Sequence, residues 1–251
     1  MRSNKTDLIS LIEMKSKHSD YQEVHPLLKD YIGSGHKAAG KNESLRNDYI
    51  QKHTSYKNKS VLDVGANTGY FTFAAIEGGS VRVVSVEGNK EHAKFIEIAA
   101  NALGFEDILV VRNEYYDFFG SKVCFYDLAL CLNVLHHLGD DFGDPSVDIM
   151  KAKNNICDSL RSMSNVCRKM WFQIGFNWKG DVDFPLFENG YKKDIVEFVE
   201  QCCKEVFKIE KIAVYDKKHN AYVDIEVGGW ERVDDLGEFL NRPLFLLSNI
   251  K

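Results

Sequence analysis

From Val61 onward the chain alternates short β-branched runs with amphipathic stretches, and that alternation restricts the fold more than any other feature. "SVLDVG" reads as a strand and "GYFTFAAIEGG" as the helix after it. "VRVVSVEG", "DILVVRN", "YDLALCLNVL", "RKMWFQIG" and "KIEKIAVYD" read as further strands. Helices are predicted over "KEHAKFIEIAANALG", "DPSVDIMKAKNNICDSLRSM" and "YKKDIVEFVEQCCKEV". Parallel neighbours need a long crossover, usually a helix. The pattern therefore predicts an α/β fold: a doubly wound, mostly parallel, Rossmann-like sheet with helices on both faces. "NAYVDIEVGGWERV" predicts a hairpin turning at Gly228 and Gly229, within an insertion over about residues 216–242, and "RPLFLLSN" a last strand.

Residues 1–57 carry two amphipathic segments, "DLISLIEMKSK" and "SLRNDYIQKH", and read as an N-terminal helical cap ahead of a domain over 58–251. The cap is expected to be removable without loss of the core fold. A net charge of -5 supplies no overall basic field for a nucleic acid. Lys37, Lys41, Arg46, Lys52, Lys57 and Lys59 nevertheless gather before the first strand. The six cysteines form no CxxC pair, and no stretch has the apolar length of a signal peptide or a membrane span. These features lead us to expect a cytoplasmic protein with free thiols and no span.

The first strand ends in "DVGANTGYF". A dinucleotide site asks for GxGxxG at this point. Here Gly65 and Gly69 flank Asn67, and the third glycine of that pattern is missing. Asparagine is the side chain that best tolerates positive φ, so Asn67 can stand where a glycine is expected. Two look-alikes fail. "GHKAAGKN" ends in Asn where a P-loop has its magnesium-binding Ser or Thr, and "DFG" at Asp141 has none of the companion motifs of a kinase.

Four features in chain order resemble the class I S-adenosylmethionine-dependent methyltransferases. They are the acidic-x-Gly-x-Asn-x-Gly run of Asp63, Gly65, Asn67 and Gly69; Glu87 in "VVSVEGN"; "RNEYYDF" after the third strand; and "LALCLNVLHHL" at the fourth. "DVGANTG" is similar to the sugar and polysaccharide members. The resemblance implies S-adenosylmethionine as cofactor. It would be held by Asp63, Gly65, Ala66, Asn67, Gly69 and Tyr70, with Glu87 and Gly88 at the ribose, Asn113 and Glu114 at the adenine, and Asn133 past the fourth strand. It also implies that the fourth strand ends near the transferable methyl group.

Methyl transfer is an in-line displacement, and a hydroxyl acceptor gains from a base. Histidine titrates near neutrality and suits that task. His137, then His136, are the expected catalytic residues. No metal is expected, because the acids of "DDFGD" find no convincing companions after the fifth strand. Trp178 is the expected acceptor-pocket aromatic, and Trp171 is expected in the core. The acceptor expected is a hydroxyl of a sugar, glycan or other small molecule. Transfer RNA, modified at the wobble uridine, is the alternative, and a non-catalytic partner or sensor of the same fold a third.

Overall fold

The two longest helices of this chain begin at side-chain caps, Asn89 and Asp148. The computed structural model describes residues 2–14, 22–32, 42–120, 124–188 and 190–251. The near-P-loop of residues 35–42 lies outside these apart from Asn42, as do Lys37 and Lys41. Two units divide the chain, Met1–Tyr116 and Asp117–Lys251.

In the first unit, α1 (Arg2–Glu13), α2 (Lys29–Ile32) and α3 (Glu43–His53) precede β1 (Ser60–Val64), α4 (Tyr70–Glu77), β2 (Arg82–Val86), α5 (Lys90–Leu103) and β3 (Leu109–Arg112). The strands run parallel in the order β3-β2-β1. Helix α5 shows why the sequence was readable. Asn89 Oδ1 caps it by accepting from the N–H groups of Glu91 and His92, and Gly104 ends it at φ 72°. Between the caps, His92, Phe95, Ile96 and Ala99 recur at helical spacing, and all are buried.

The N-terminal helices are part of this unit's core. Leu8, Leu28 and Ile50 are fully buried. Arg46 pairs with Glu43 at 3.1 Å out of solvent, and its guanidinium lies 5.2 Å from the centre of the Phe71 ring. Removing one member of such a buried pair costs about 3–5 kcal/mol. Tyr56 packs so close to Gly78 that a Cβ there would lie 2.7 Å from its ring. A removable cap does not fit these contacts: truncation before β1 strips the first unit of interior side chains.

The second unit holds β4 (Tyr126–Leu132), α6 (Ile149–Ser162), β5 (Cys167–Gln173), α7 (Lys192–Cys203), β6 (Phe207–Asp216), β7 (Ala221–Asp224), the short α8 (Ile225–Gly228) and α9 (Gly237–Leu240), and β8 (Leu244–Asn249). Its strand order is β4-β5-β8-β6-β7. Among the described strands of this unit, β4 and β5 pair in parallel. The β5/β8, β6/β8 and β6/β7 pairs are antiparallel. This corrects the mostly parallel expectation for this half: β8 arrives from an excursion of short helical turns and inserts between β5 and β6, and an apolar run carries no sign of its direction.

The hairpin is also corrected. It joins β6 to β7 through residues 217–220, where Asp216 accepts from the His219 N–H and Asn220 takes φ 46°. Gly228 and Gly229 instead end the helical turn of α8. Trp171 is fully buried in β5, as expected.

Candidate functional site

In the first unit the site is built where β1 and β2 end. Gly65, Asn67 and Gly69 have φ of 68°, 53° and 80°, so Asn67 takes the left-handed conformation its residue type allows. The N–H groups of Gly65 and Ala66 both donate to the Val86 carbonyl, at 2.8 and 3.2 Å, tying the loop to β2. Gly69 has a second reason to be glycine. A Cβ there would meet Ile96 Cγ1 at 3.0 Å and the Phe73 ring at 3.1 Å.

Glu87 is oriented by the same loop. Its Oε2 accepts from Asn67 N at 2.7 Å and its Oε1 from Asn89 N at 2.8 Å. Asn113 Nδ2 donates to the carbonyls of Glu87 and Gly88, at 3.1 and 3.3 Å, so its side chain holds the β2 turn in place. Gly88 packs against Tyr115, whose ring would stand 2.3 Å from any Cβ there. Tyr115, which the sequence did not single out, is 53% exposed. Glu114 is not drawn into this group. Its carboxylate lies 3.8 Å from Arg112 and is largely in solvent.

Asp63 is buried and accepts from the Thr72 hydroxyl at 2.7 Å. Burial, reinforced by the nearby Glu87 charge, pushes its pKa up to about 7, against the opposing pull of the Thr72 bond. The native carboxyl thus keeps its proton where an unfolded one, near 3.8, has lost it. Its contribution to stability is complete below about pH 4 and is lost as the pH rises through about 7. Melting temperatures should therefore separate Asp63→Asn from wild type progressively as the pH rises, with the variant the more stable at the alkaline end. A constant gap across the window would count against a raised Asp63.

Gln22 is the functional residue that sequence reading missed. It sits at the start of α4 although it lies 48 residues before Tyr70. Its buried Oε1 accepts from the Tyr70 N–H at 2.9 Å and from the Thr68 hydroxyl at 3.2 Å. The first N–H of a helix is the group an anion would use. Here a neutral side-chain carbonyl takes it. Tyr70 itself packs edge-on to His25, 5.1 Å between ring centres, with its side chain buried. No local signal marks Gln22, since the contact exists only after folding.

In the second unit Asn133 follows β4 at φ 62°, and a 3-10 turn over Leu135–His137 comes next. Its carboxamide is engaged on both sides: Oδ1 accepts from Arg242 and Nδ2 donates to Gln173. The two imidazoles lie 4.3 Å apart, centre to centre. His136 is buried, and its Nδ1 accepts from the Gly175 N–H at 3.3 Å. His137 is more open, and its Nδ1 lies 3.4 Å from Asp141 and 3.9 Å from Asp140. The ligand atoms of these three residues all lie within 4.8 Å of one another, close enough to hold a single metal ion. The sequence reading credited the acids but not their pairing with His137. Trp178 is corrected: it is 6% exposed, and its indole N–H donates to the Leu138 carbonyl at 2.6 Å, so it braces the turn beneath His137.

No family model matches the chain. Among solved structures, the bifunctional kinase-methyltransferase WbdD superposes over 97% of this chain and 47% of its own, with a TM-score of 0.59 at 18% identity. A candidate S-adenosylmethionine-dependent methyltransferase from Listeria monocytogenes covers 86% of this chain and 100% of its own, with a TM-score of 0.54 at 12% identity. The chain has the class I methyltransferase fold. Particular relatives emerge at the level of sequence. The tRNA U34 carboxymethyltransferase of Helicobacter acinonychis is 31% identical over 105 residues, 38% of this chain and 36% of that protein. The enzyme of the same description from Nautilia profundicola is 24% identical over 139 residues, 53% of this chain and 45% of that protein. The match therefore spans less than half the length of either relative. Among the described residues, no helix is long and apolar enough to cross a membrane.

Proposed function

We propose that the chain is an S-adenosylmethionine-dependent methyltransferase. The observation that carries this reading is the helix start at Tyr70, where Gln22 takes the N–H that a pyrophosphate would need. The loop and Glu87 can then serve an adenosine whose other end bears no phosphate. Glu87 would accept the ribose hydroxyls, the turn at Gly88 and Asn113 would shape the adenine side with Tyr115 as a wall, and residues 65–69 would lie along the remainder. The bound sulfonium would supply an activated methyl group. His137 would take the proton of a hydroxyl acceptor, with Asp140 and Asp141 orienting its ring, and His136 would act as a buried support.

For the acceptor we favour tRNA over a sugar or glycan hydroxyl. The support is the description of the sequence relatives, which act on tRNA U34. Neither the fold nor the net charge of -5 argues for that choice. The decisive experiment incubates the protein with labelled S-adenosylmethionine and, separately, cellular tRNA, nucleotide sugars and glycans. Label in tRNA is the expected result, and mass spectrometry of the nucleosides identifies the methylated one. Label confined to the sugar pools would restore the sugar reading, and turnover in none would favour a sensor.

Ligand preference checks the cofactor independently. Calorimetry should show binding of S-adenosylmethionine and S-adenosylhomocysteine and none of NAD. Tight NAD binding without a response to S-adenosylhomocysteine would overturn the cofactor assignment.

A further inference from the structure

A closed ring of hydrogen bonds joins the ends of β4 and β5 to the segment just before β8. Arg242 is 5% exposed. Its Nε and Nη2 donate to Glu238 Oε1 at 3.0 and 2.8 Å, and Nη2 also donates to Oε2 at 2.7 Å. Nη1 reaches the other way and donates to Asn133 Oδ1 at 2.8 Å. Asn133 Nδ2 donates to Gln173 Oε1 at 3.0 Å, and Gln173 Nε2 donates to the Arg242 carbonyl at 2.9 Å. Glu238 Oε1 also accepts from the Phe176 N–H, anchoring the pair to the chain past β5.

This ring fixes one orientation of the Asn133 amide. A flipped amide would set its NH₂ against the guanidinium and its oxygen against the Gln173 oxygen. It also surrounds a non-glycine residue held at φ 62°. Asparagine tolerates this conformation, and the ring of bonds holds it there. Gly175 adds a second, separate contact. A Cβ there would lie 3.1 Å from Arg242 Cζ and 2.9 Å from His136 Cδ2. Its φ is not left-handed, so glycine serves here to let guanidinium and imidazole approach.

We infer that Arg242, gripped by Glu238, is a positioning residue that sets Asn133 and packs beside Gly175, as His136 does, making the segment after α8 part of the functional site. This rests on the proposed function in taking Asn133 as a cofactor contact. Lysine cannot replace the guanidinium, because its single nitrogen cannot span Glu238 and Asn133 with the same geometry.

The test uses the full chain labelled with ¹⁵N-asparagine, as wild type, Arg242→Lys and Gly175→Ala. Three quantities are read: the Asn133 side-chain amide resonances, the affinity for S-adenosylhomocysteine, and the melting temperature. Both variants should shift the Asn133 resonances and weaken affinity about five- to tenfold, the scale of one misplaced hydrogen bond. Gly175→Ala, whose methyl crowds the same guanidinium and imidazole, should do so with some loss of melting temperature. Unshifted resonances in either variant, or a lowered melting temperature with unchanged affinity, would show a purely structural pair and overturn the inference. If wild type itself binds no S-adenosylhomocysteine, the cofactor reading fails on its own, and the resonances alone decide whether Arg242 positions Asn133.

Discussion

His137→Ala should cut turnover by about 10²–10⁴-fold, the usual worth of a positioned general base. Affinity for S-adenosylmethionine should stay within a few fold. The structure separates the two histidines in a way their adjacency in sequence does not. His136 is buried with its Nδ1 committed to the Gly175 N–H, whereas His137 is more open and faces two carboxylates from Nδ1. His136→Ala should therefore lower stability more than rate. Wild-type turnover should fall on the acid side, where a protonated imidazole cannot accept the acceptor's proton. The same three groups can hold a metal ion, and a chelator tells the roles apart. Turnover that survives chelation but not His137→Ala supports the base. Loss on chelation, with recovery on adding a divalent cation, would make His137 a ligand. Wild-type turnover in both single variants would remove the histidines from the chemistry and favour an amine acceptor.

Glu87→Ala should weaken S-adenosylhomocysteine binding by more than about tenfold, since bonds to a charged group are worth roughly 1.5–3 kcal/mol each. The structure adds a condition. Because the carboxylate also accepts from Asn67 N and Asn89 N, the alanine variant loosens the glycine loop and the cap of α5. Glu87→Gln is the milder variant: it keeps an acceptor oxygen for one of those amides, turns an NH₂ toward the other and loses the charge. Calorimetry beside thermal melting should show a modest loss of stability in both variants and a large loss of affinity in alanine. Unchanged affinity in both would place the ribose contact on another residue.

Helices α4, α5 and α7 were legible in the sequence, and so were the strands up to β6, because each rests on local chemistry. Asn89 and Gly104 bracket α5, and Gly69 opens α4. Local reading misjudged chain direction and turn position. The start of α6 is set by Asp148, whose carboxylate accepts from Lys151 N, and not by the equally suitable Asp144 four residues earlier. The hairpin turned at the polar residues 217–220 although the glycines at 228 and 229 looked the better turn. Several acidic or small residues near an element end can serve equally well, and packing chooses among them.

What the sequence determined by itself is the glycine loop with its asparagine at left-handed φ, the acidic residue ending β2, and the apolar fourth strand running into two histidines. Each is a property of one to three adjacent residues, and backbone sterics and strand burial give it a meaning before any tertiary contact forms. What only the tertiary structure decided is which groups serve those features. Gln22 closes the start of α4 from 48 residues away. Arg242 reaches Asn133 across 109 residues, and Asp141 stands beside His137 through a turn that Trp178 braces. A hydrogen bond between distant residues leaves no periodicity or spacing in the chain. Its partners are chosen by which side chains the packed elements bring within about 3 Å.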